Sequence, residues 1–269
     1  MAVSSSSLFH FTRKENLKSI LQSGKFWPSF CEFDLYHGEQ FWRKINGELQ
    51  LQKPENLLLK IPMVCFCDML LTQIKLHIQD YGESKGGYGI GLKKEWGKRK
   101  NLCPITYLNV GSPVAISYLN IWEYILKQSI IYNKHNTQAP KILEILNDNI
   151  IKAIFFSKPF EGYSFKPSGE WREFYNEREW RYIPENEITK KMMDGKFHID
   201  YDLEISKIRE SDSLTFKHDD ISFLIVNSEA EIEELIDIIR EMDIGQKEQD
   251  KLLTKIQSVE SIEKNYGLH

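Results

Sequence analysis

Apolar residues recur at two periods along this chain, and the switches between them mark its elements. Residues 8–11 (LFHF) are short and apolar enough for a strand. Directly afterwards Leu17, Ile20 and Leu21 fall at helical spacing within 13–23, and Gly24 supplies the stop. Residues 61–67 (IPMVCFC) read as a strand, Asp68 as the N-cap of a helix over 69–81, and 88–92 (YGIGL) as a strand whose glycines permit close backbone approach. The polar and aromatic stretch 25–60 predicts loops with one short helix near 40–45.

Further along, the pattern predicts a strand at 104–108, a helical stretch at 112–149 rich in Ile, Leu and Tyr, and strands at 151–157, 172–183 and 221–227. Ile232, Leu235, Ile236 and Ile239 line one face of a helix over 229–242, Gly245 breaks it, and 247–264 reads as a more polar second helix. Strands gathered from distant parts of the chain and interleaved with helices give an α+β fold. No shift in composition divides the 269 residues, so 1–269 reads as one domain, with a helical insertion at about 112–149 and C-terminal helices at about 229–264.

Composition narrows the classes. With 41% hydrophobic residues the chain can bury a core, while no apolar run approaches the roughly eighteen residues of a membrane span and the start lacks a signal-peptide layout. The expectation is a cytoplasmic protein with no membrane association. A net charge of −4 gives no global attraction for nucleic acid, although the turn Lys93–Lys100 holds five basic residues in eight around Trp96 and so suits phosphate contact and base stacking. Cys31, Cys65, Cys67 and Cys103 lack a second ligand pair at zinc spacing, and His77 alone does not complete a site, so buried reduced thiols and no metal are expected.

Two segments carry chemistry. His10 and Thr12 stand two apart on an extended segment and point to one side, where an imidazole and a hydroxyl can hold a sugar; Thr12 with Glu15 also fits a capping box. In the downstream segment Glu177-Arg178-Glu179-Trp180-Arg181, period-two alternation sets Glu177, Glu179 and Arg181 on one face. Such a face is either the solvated side of a strand or, among Trp171, Phe174, Trp180 and Tyr182, a set of charges with partners or a purpose.

HFTRKENLKSILQSG, MVCFCDMLLTQIKLHIQDYG and EREWRYI resemble, in order, the three signatures of the ADP-ribosyltransferase fold. The combination of HFT, PMVCFCDMLL, YGIGLKKEW and EREWRY is similar over most of the chain to the AbiGi family of abortive-phage-infection proteins, labelled an antitoxin beside a nucleotidyltransferase-type partner. The resemblance implies split mixed sheets flanked by helices, with His10, Tyr81 and Glu179 converging on one cleft. It implies NAD as substrate: His10 on the adenosine ribose, the Phe11 backbone on the nicotinamide amide, Thr12 behind the second ribose, and Phe66 or Tyr81 stacking on nicotinamide. Glu179 is then the catalytic carboxylate for the oxocarbenium-like ribose, with Glu177 orienting the acceptor, and its removal abolishes turnover without unfolding the chain. The implied function is transfer of ADP-ribose to a macromolecular acceptor, nucleic acid or protein, in phage defence. The alternative is a non-catalytic antitoxin restraining a partner toxin.

Overall fold

The computed structural model describes residues 5–34, 41–45, 48–52, 58–81, 87–109, 111–135, 140–163, 171–185, 206–209 and 211–266. Eight strands make the main sheet: β1 (Ser7–Thr12), β2 (Ser29–Asp34), β3 (Leu58–Cys67), β4 (Tyr88–Lys93), β5 (Cys103–Pro104), β6 (Glu179–Tyr182), β7 (Ile221–Val226) and β8 (Ile256–Ser258). Their order is β8-β7-β4-β1-β3-β6-β5, with β2 joined to β3 off this path. Only β7 and β8 run parallel; the other pairs in this sheet are antiparallel. The helices are α1 (Lys14–Ser23), α2 (Ile74–Tyr81), α3 (Lys94–Arg99), α4 (Pro113–Lys134), α5 (Lys141–Phe155), α6 (Ile232–Arg240), α7 (Gln246–Leu253) and α8 (Val259–Tyr266). The arrangement is mixed α+β.

Alternation along the strands sends their side chains to two different cores. On the first face Leu8, Val64, Phe66, Ile90, Leu92 and Leu224 meet Leu17, Ile20 and Leu21 of α1, Trp96 of α3, and Leu235, Ile238 and Ile239 of α6. On the second, Phe9, Cys67 and Ile225 meet Ile74 of α2 and Val259 and Ile262 of α8, while Ile61 and Met63 meet Trp122 and Ile125 of α4 and Ile151, Ile154 and Phe155 of α5. Strand β4 carries glycines where the second face is tightest. A Cβ on Gly91 would lie 2.8 Å from the Phe9 ring, and one on Gly89 would lie 2.9 Å from Phe11.

Helix α1 ends as its sequence requires: Gly24 adopts φ 63° and its N–H returns to the Ile20 carbonyl at 2.9 Å. Its start differs from the capping-box expectation. Arg13 is the N-cap and makes no side-chain cap, while Thr12 Oγ1 accepts from Asn16 Nδ2 at 3.0 Å. Asp68 does not cap a helix either; its carboxylate pairs with Lys94 at 2.7 Å, and the following turn, Leu71–Gln73, is 3-10 before α2 begins.

Four other expectations are corrected. Phe41–Ile45 is a strand paired antiparallel with Glu48–Gln52, in place of a short helix. Residues 151–155 complete α5, whose apolar face at Ile151, Ile154 and Phe155 has helical spacing, and only Ser157–Pro159 is a strand. The supposed basic turn is α3: Trp96 is buried and donates its indole N–H to the Thr215 carbonyl, so it is core rather than a base-stacking surface. The tail beyond Gly245 is divided into α7, β8 and α8 because Ile256 and Ser258 extend the sheet beside β7. Among the described residues, no helix is long and apolar enough to cross a membrane.

Candidate functional site

The predicted strand over 172–183 is two strands joined by a tight reversal. Trp171–Glu173 pairs with Glu161–Tyr163, Phe174–Glu177 is a 3-10 turn, and Arg178 takes a left-handed φ of 45° before β6 starts. A non-glycine residue in that region costs on the order of 1 kcal/mol. The Arg178 carbonyl accepts the Asp68 N–H at 3.0 Å, which ties the reversal to the end of β3. Because of this turn Glu177 reaches Lys158, which it shares with Glu179, without sharing the strand of Glu179.

Glu179, Glu177 and Arg181 are all buried, so the solvated reading of this face is excluded; Glu179 is 5% exposed. Arg181 grips Glu179 with Nε on Oε1 at 2.6 Å and Nη2 on Oε2 at 3.3 Å. Lys158, on the short strand Ser157–Pro159, donates to Glu179 Oε2 at 3.0 Å and to Glu177 Oε2 at 2.5 Å. Arg172 donates to the other oxygen of Glu177. The Glu179 backbone N–H donates to the Tyr107 hydroxyl at 2.8 Å. Arg181 also donates from Nη1 to the carbonyls of Phe155 at 2.5 Å and Ser157 at 3.3 Å. A cation there satisfies carbonyls that the end of α5 leaves without helical partners and sits at the negative end of its dipole.

Burial pushes the Glu179 carboxyl up, but Lys158 and Arg181 outweigh it and hold the group well below the usual carboxylate range. Burial likewise opposes ionisation of Glu177, and Lys158 and Arg172 bring its pKa below the ordinary value. Burial pulls Lys158 and Arg181 down, but Glu179 and Glu177 outweigh it for Lys158, and Glu179 for Arg181, so both are displaced upward. Burial raises the Tyr107 phenol and keeps it protonated. The cluster therefore contains ions, three cationic and two anionic, each carboxylate oxygen facing a cation. Such a set joins β6, the end of α5 and the strands carrying Lys158 and Arg172 into one unit.

His10 stands apart from it. Phe9, Cys67 and Glu179 are directly opposite one another across β1, β3 and β6, and Trp180 is opposite Phe66. Opposed residues share a face, so Glu179 points to the second face with Phe9, while His10, one residue on, points to the first with Phe66 and Trp180. The expected convergence of His10 and Glu179 on one cleft does not occur, because a single residue of offset reverses the side. His10 Nδ1 lies 2.8 Å from the Cys65 carbonyl. A carbonyl only accepts, so Nδ1 carries the proton. The one register pair between β1 and β3 is Phe9 with Cys67, and the His10 side chain bridges the two strands beside it.

The other predicted binding residues are placed as follows. Phe66 is fully buried among Phe26, Trp96 and His10, with ring centroids at 5.1, 5.4 and 5.5 Å, so a nicotinamide has no face of it to stack on. Phe11 pairs with Gly89 and its ring lies 5.0 Å from that of His77. Thr12 is buried. Tyr81 ends α2, and its side chain lies outside the described residues. Cys67 is buried with His77 Nε2 3.5 Å from its sulfur, Cys31 and Cys65 are half-buried, and Cys103 is exposed. Among the described residues, no group of three or more His, Cys, Asp or Glu is placed to hold a metal. Lys158, Arg172 and Tyr107 were missed from the sequence. Each lies on a strand of three residues, too short for a period to show which way it points.

With the site in view, similarity to known proteins is informative. The chain is 27% identical over 228 residues to the abortive phage resistance protein AbiGi of Lactococcus lactis subsp. cremoris, covering 77% of this chain and 89% of that protein. No solved structure matches. Residues 27–227 match the profile of a family described as "Putative abortive phage resistance protein AbiGi, antitoxin", a span that includes the ionic cluster and begins beyond β1 and α1. The chain belongs to the AbiGi family of abortive phage resistance proteins.

Proposed function

We propose that this chain serves phage defence as a binding protein, the antitoxin of a toxin–antitoxin pair, rather than by transferring ADP-ribose. The observation that carries this reading is the closure of Glu177 and Glu179: both are buried, and their oxygens are taken by Lys158, Arg172 and Arg181. A carboxylate that stabilises an oxocarbenium-like ribose must turn an oxygen toward the substrate. Here that motion would break contacts to buried cations, and His10 lies on the far side of the sheet. The antitoxin description of the family agrees with this reading. The test is co-expression with a nucleotidyltransferase-type toxin, the partner implied by the sequence resemblance. Growth is restored by the wild-type chain and by a folded Glu179→Gln variant. Toxicity of this chain alone, abolished by Glu179→Gln, overturns the proposal.

One observation favours the transferase reading. β1 and β3 meet at a single register pair, Phe9 with Cys67, a narrow join compatible with the split sheets the resemblance implies, and Phe11 lies just beyond it. Incubation of the purified chain with labelled NAD, with and without cell lysate, tests this directly. Label on a macromolecule that disappears with Glu179→Gln supports the transferase; absence of label transfer and of NAD consumption ends it.

A further inference from the structure

Among the described residues, most of the large apolar side chains left exposed lie on α4 and α5, and on α4 they form a line. Val114, Ser117, Ile121, Tyr124, Gln128 and Ile131 are separated by alternating steps of three and four, the a and d positions of successive heptads. Val114, Ile121, Tyr124 and Ile131 are exposed, Tyr124 at 58%, while a neighbouring stripe of the same helix, Trp122 and Ile125, is buried against α5. One stripe thus holds α4 in the fold. The second runs for roughly 26 Å along the surface.

We propose that this seam is the interface of a homodimer in which α4 packs antiparallel on α4 of a second copy. A two-fold axis crossing the helix between Trp122 and Glu123 brings Val114 against Ile131 of the partner subunit, Ile121 against Tyr124 of the partner subunit, and Ser117 against Gln128 of the partner subunit. The pairing is isologous, as a two-fold interface must be, and apolar meets apolar while polar meets polar. It also sets a large side chain against a smaller one at each level, as close packing requires. A parallel pair would instead stack Tyr124 on itself and leave Ser117 facing Ser117. At the edge of the seam Lys127 faces Asn120 of the partner subunit, so no like charges oppose.

The area fits the same occupant. Val114, Ile121, Tyr124 and Ile131 on the seam, with Ile142, Ile145 and Leu146 in the first turns of α5, are each 42–58% exposed. Together they present on the order of 500 Å² of side-chain surface, as large as the largest apolar patch of many monomers. That is more than half of the roughly 800 Å² per partner of a standard interface. This inference does not depend on the antitoxin reading.

Light scattering on the sized full chain is expected to give twice 31.7 kDa. Ile121→Lys is expected to halve that mass while leaving the melting temperature of the monomer unit unchanged, because Ile121 belongs to none of the buried clusters. Cysteine cross-linking in a Cys103→Ser background fixes the orientation. A mixture of Ser117→Cys and Gln128→Cys chains cross-links under mild oxidation, and Ser117→Cys alone does not. A wild-type monomer, a dimer unaffected by Ile121→Lys, or cross-linking of Ser117→Cys with itself each overturns the proposal.

Discussion

The two sides of strand β3 solve the problem of burial in opposite ways. From one side Val64 and Phe66 enter an apolar core with Phe26, Trp96 and Ile90. From the other, Cys65 and Cys67 lie opposite Arg181 and Glu179, at the edge of a cluster of five ions. The apolar side is built from many weak contacts, each lost in proportion to the area removed. The ionic side is all or none, since a charge left without its partner costs more than the pair contributed. Two faces of one strand can therefore have similar burial and very different tolerance of substitution.

The largest expected effect tests that difference. Arg181→Ala leaves Glu179 without its bidentate partner and the end of α5 without a cation, and should destabilise the chain by about 3–5 kcal/mol in denaturant unfolding. Glu179→Gln belongs to the same class, so the sequence expectation that it spares the fold is revised: the side chain is locked into the structure. Replacing both, Glu179→Leu with Arg181→Met, should recover most of the loss. A double variant as unstable as the sum of the singles breaks the all-or-none account.

Acid should separate the faces next. Glu177 and Glu179 are held below the ordinary carboxylate value of 4.5, so their folded forms bind protons less readily than the unfolded chain. The stability they contribute is present above that value and is lost as pH falls below it toward the folded values. Unfolding free energy should drop steeply below about pH 4.5 in wild type and less steeply in the Leu/Met double variant, read from melting curves across pH. Equal slopes would place the acid sensitivity elsewhere.

Smaller effects are expected on the apolar side. Phe66→Leu removes part of a ring from a packed core and should cost about 1–2 kcal/mol, with its neighbours relaxing into some of the space. A loss as large as that of Arg181→Ala would contradict the contrast. His10→Phe is the mildest: it leaves the Cys65 carbonyl without its donor and should cost about 1 kcal/mol. A far larger loss would make the His10 bridge, and not the apolar packing around it, the tie between β1 and β3.

Elements with strong periods were legible in the sequence. The β1–α1 unit with Gly24, strands β3 and β4, and the β7–α6 unit follow from short apolar runs and helical spacing. What misled was short or reversed. The alternation read through 172–183 conceals the turn at Phe174–Glu177 and Arg178, so Glu177 was set on a strand it does not occupy. Trp96 among five basic residues looked like a ligand surface because composition carries no direction; its indole N–H is bonded inside the fold. The ionic cluster was half visible. Glu179 and Arg181 share a face by period two, whereas Lys158 and Arg172 are supplied by separate short strands and only folding identifies them as partners. The side on which His10 falls depends on strand register, which pairs residues 9, 67 and 179 and leaves no trace in local pattern.

The strand order also governs what happens while the chain is being made. β3 must wait for β6, more than a hundred residues later, and β4, already paired with β1, acquires its second neighbour only when β7 has left the ribosome. A nascent chain halted before residue 221 therefore presents β4, with its tightly spaced glycines and buried Ile90 and Leu92, as an open apolar edge, the kind of template on which other chains add. Completion of translation is the step that closes this edge. Chains truncated before residue 221 are therefore expected to aggregate or be degraded.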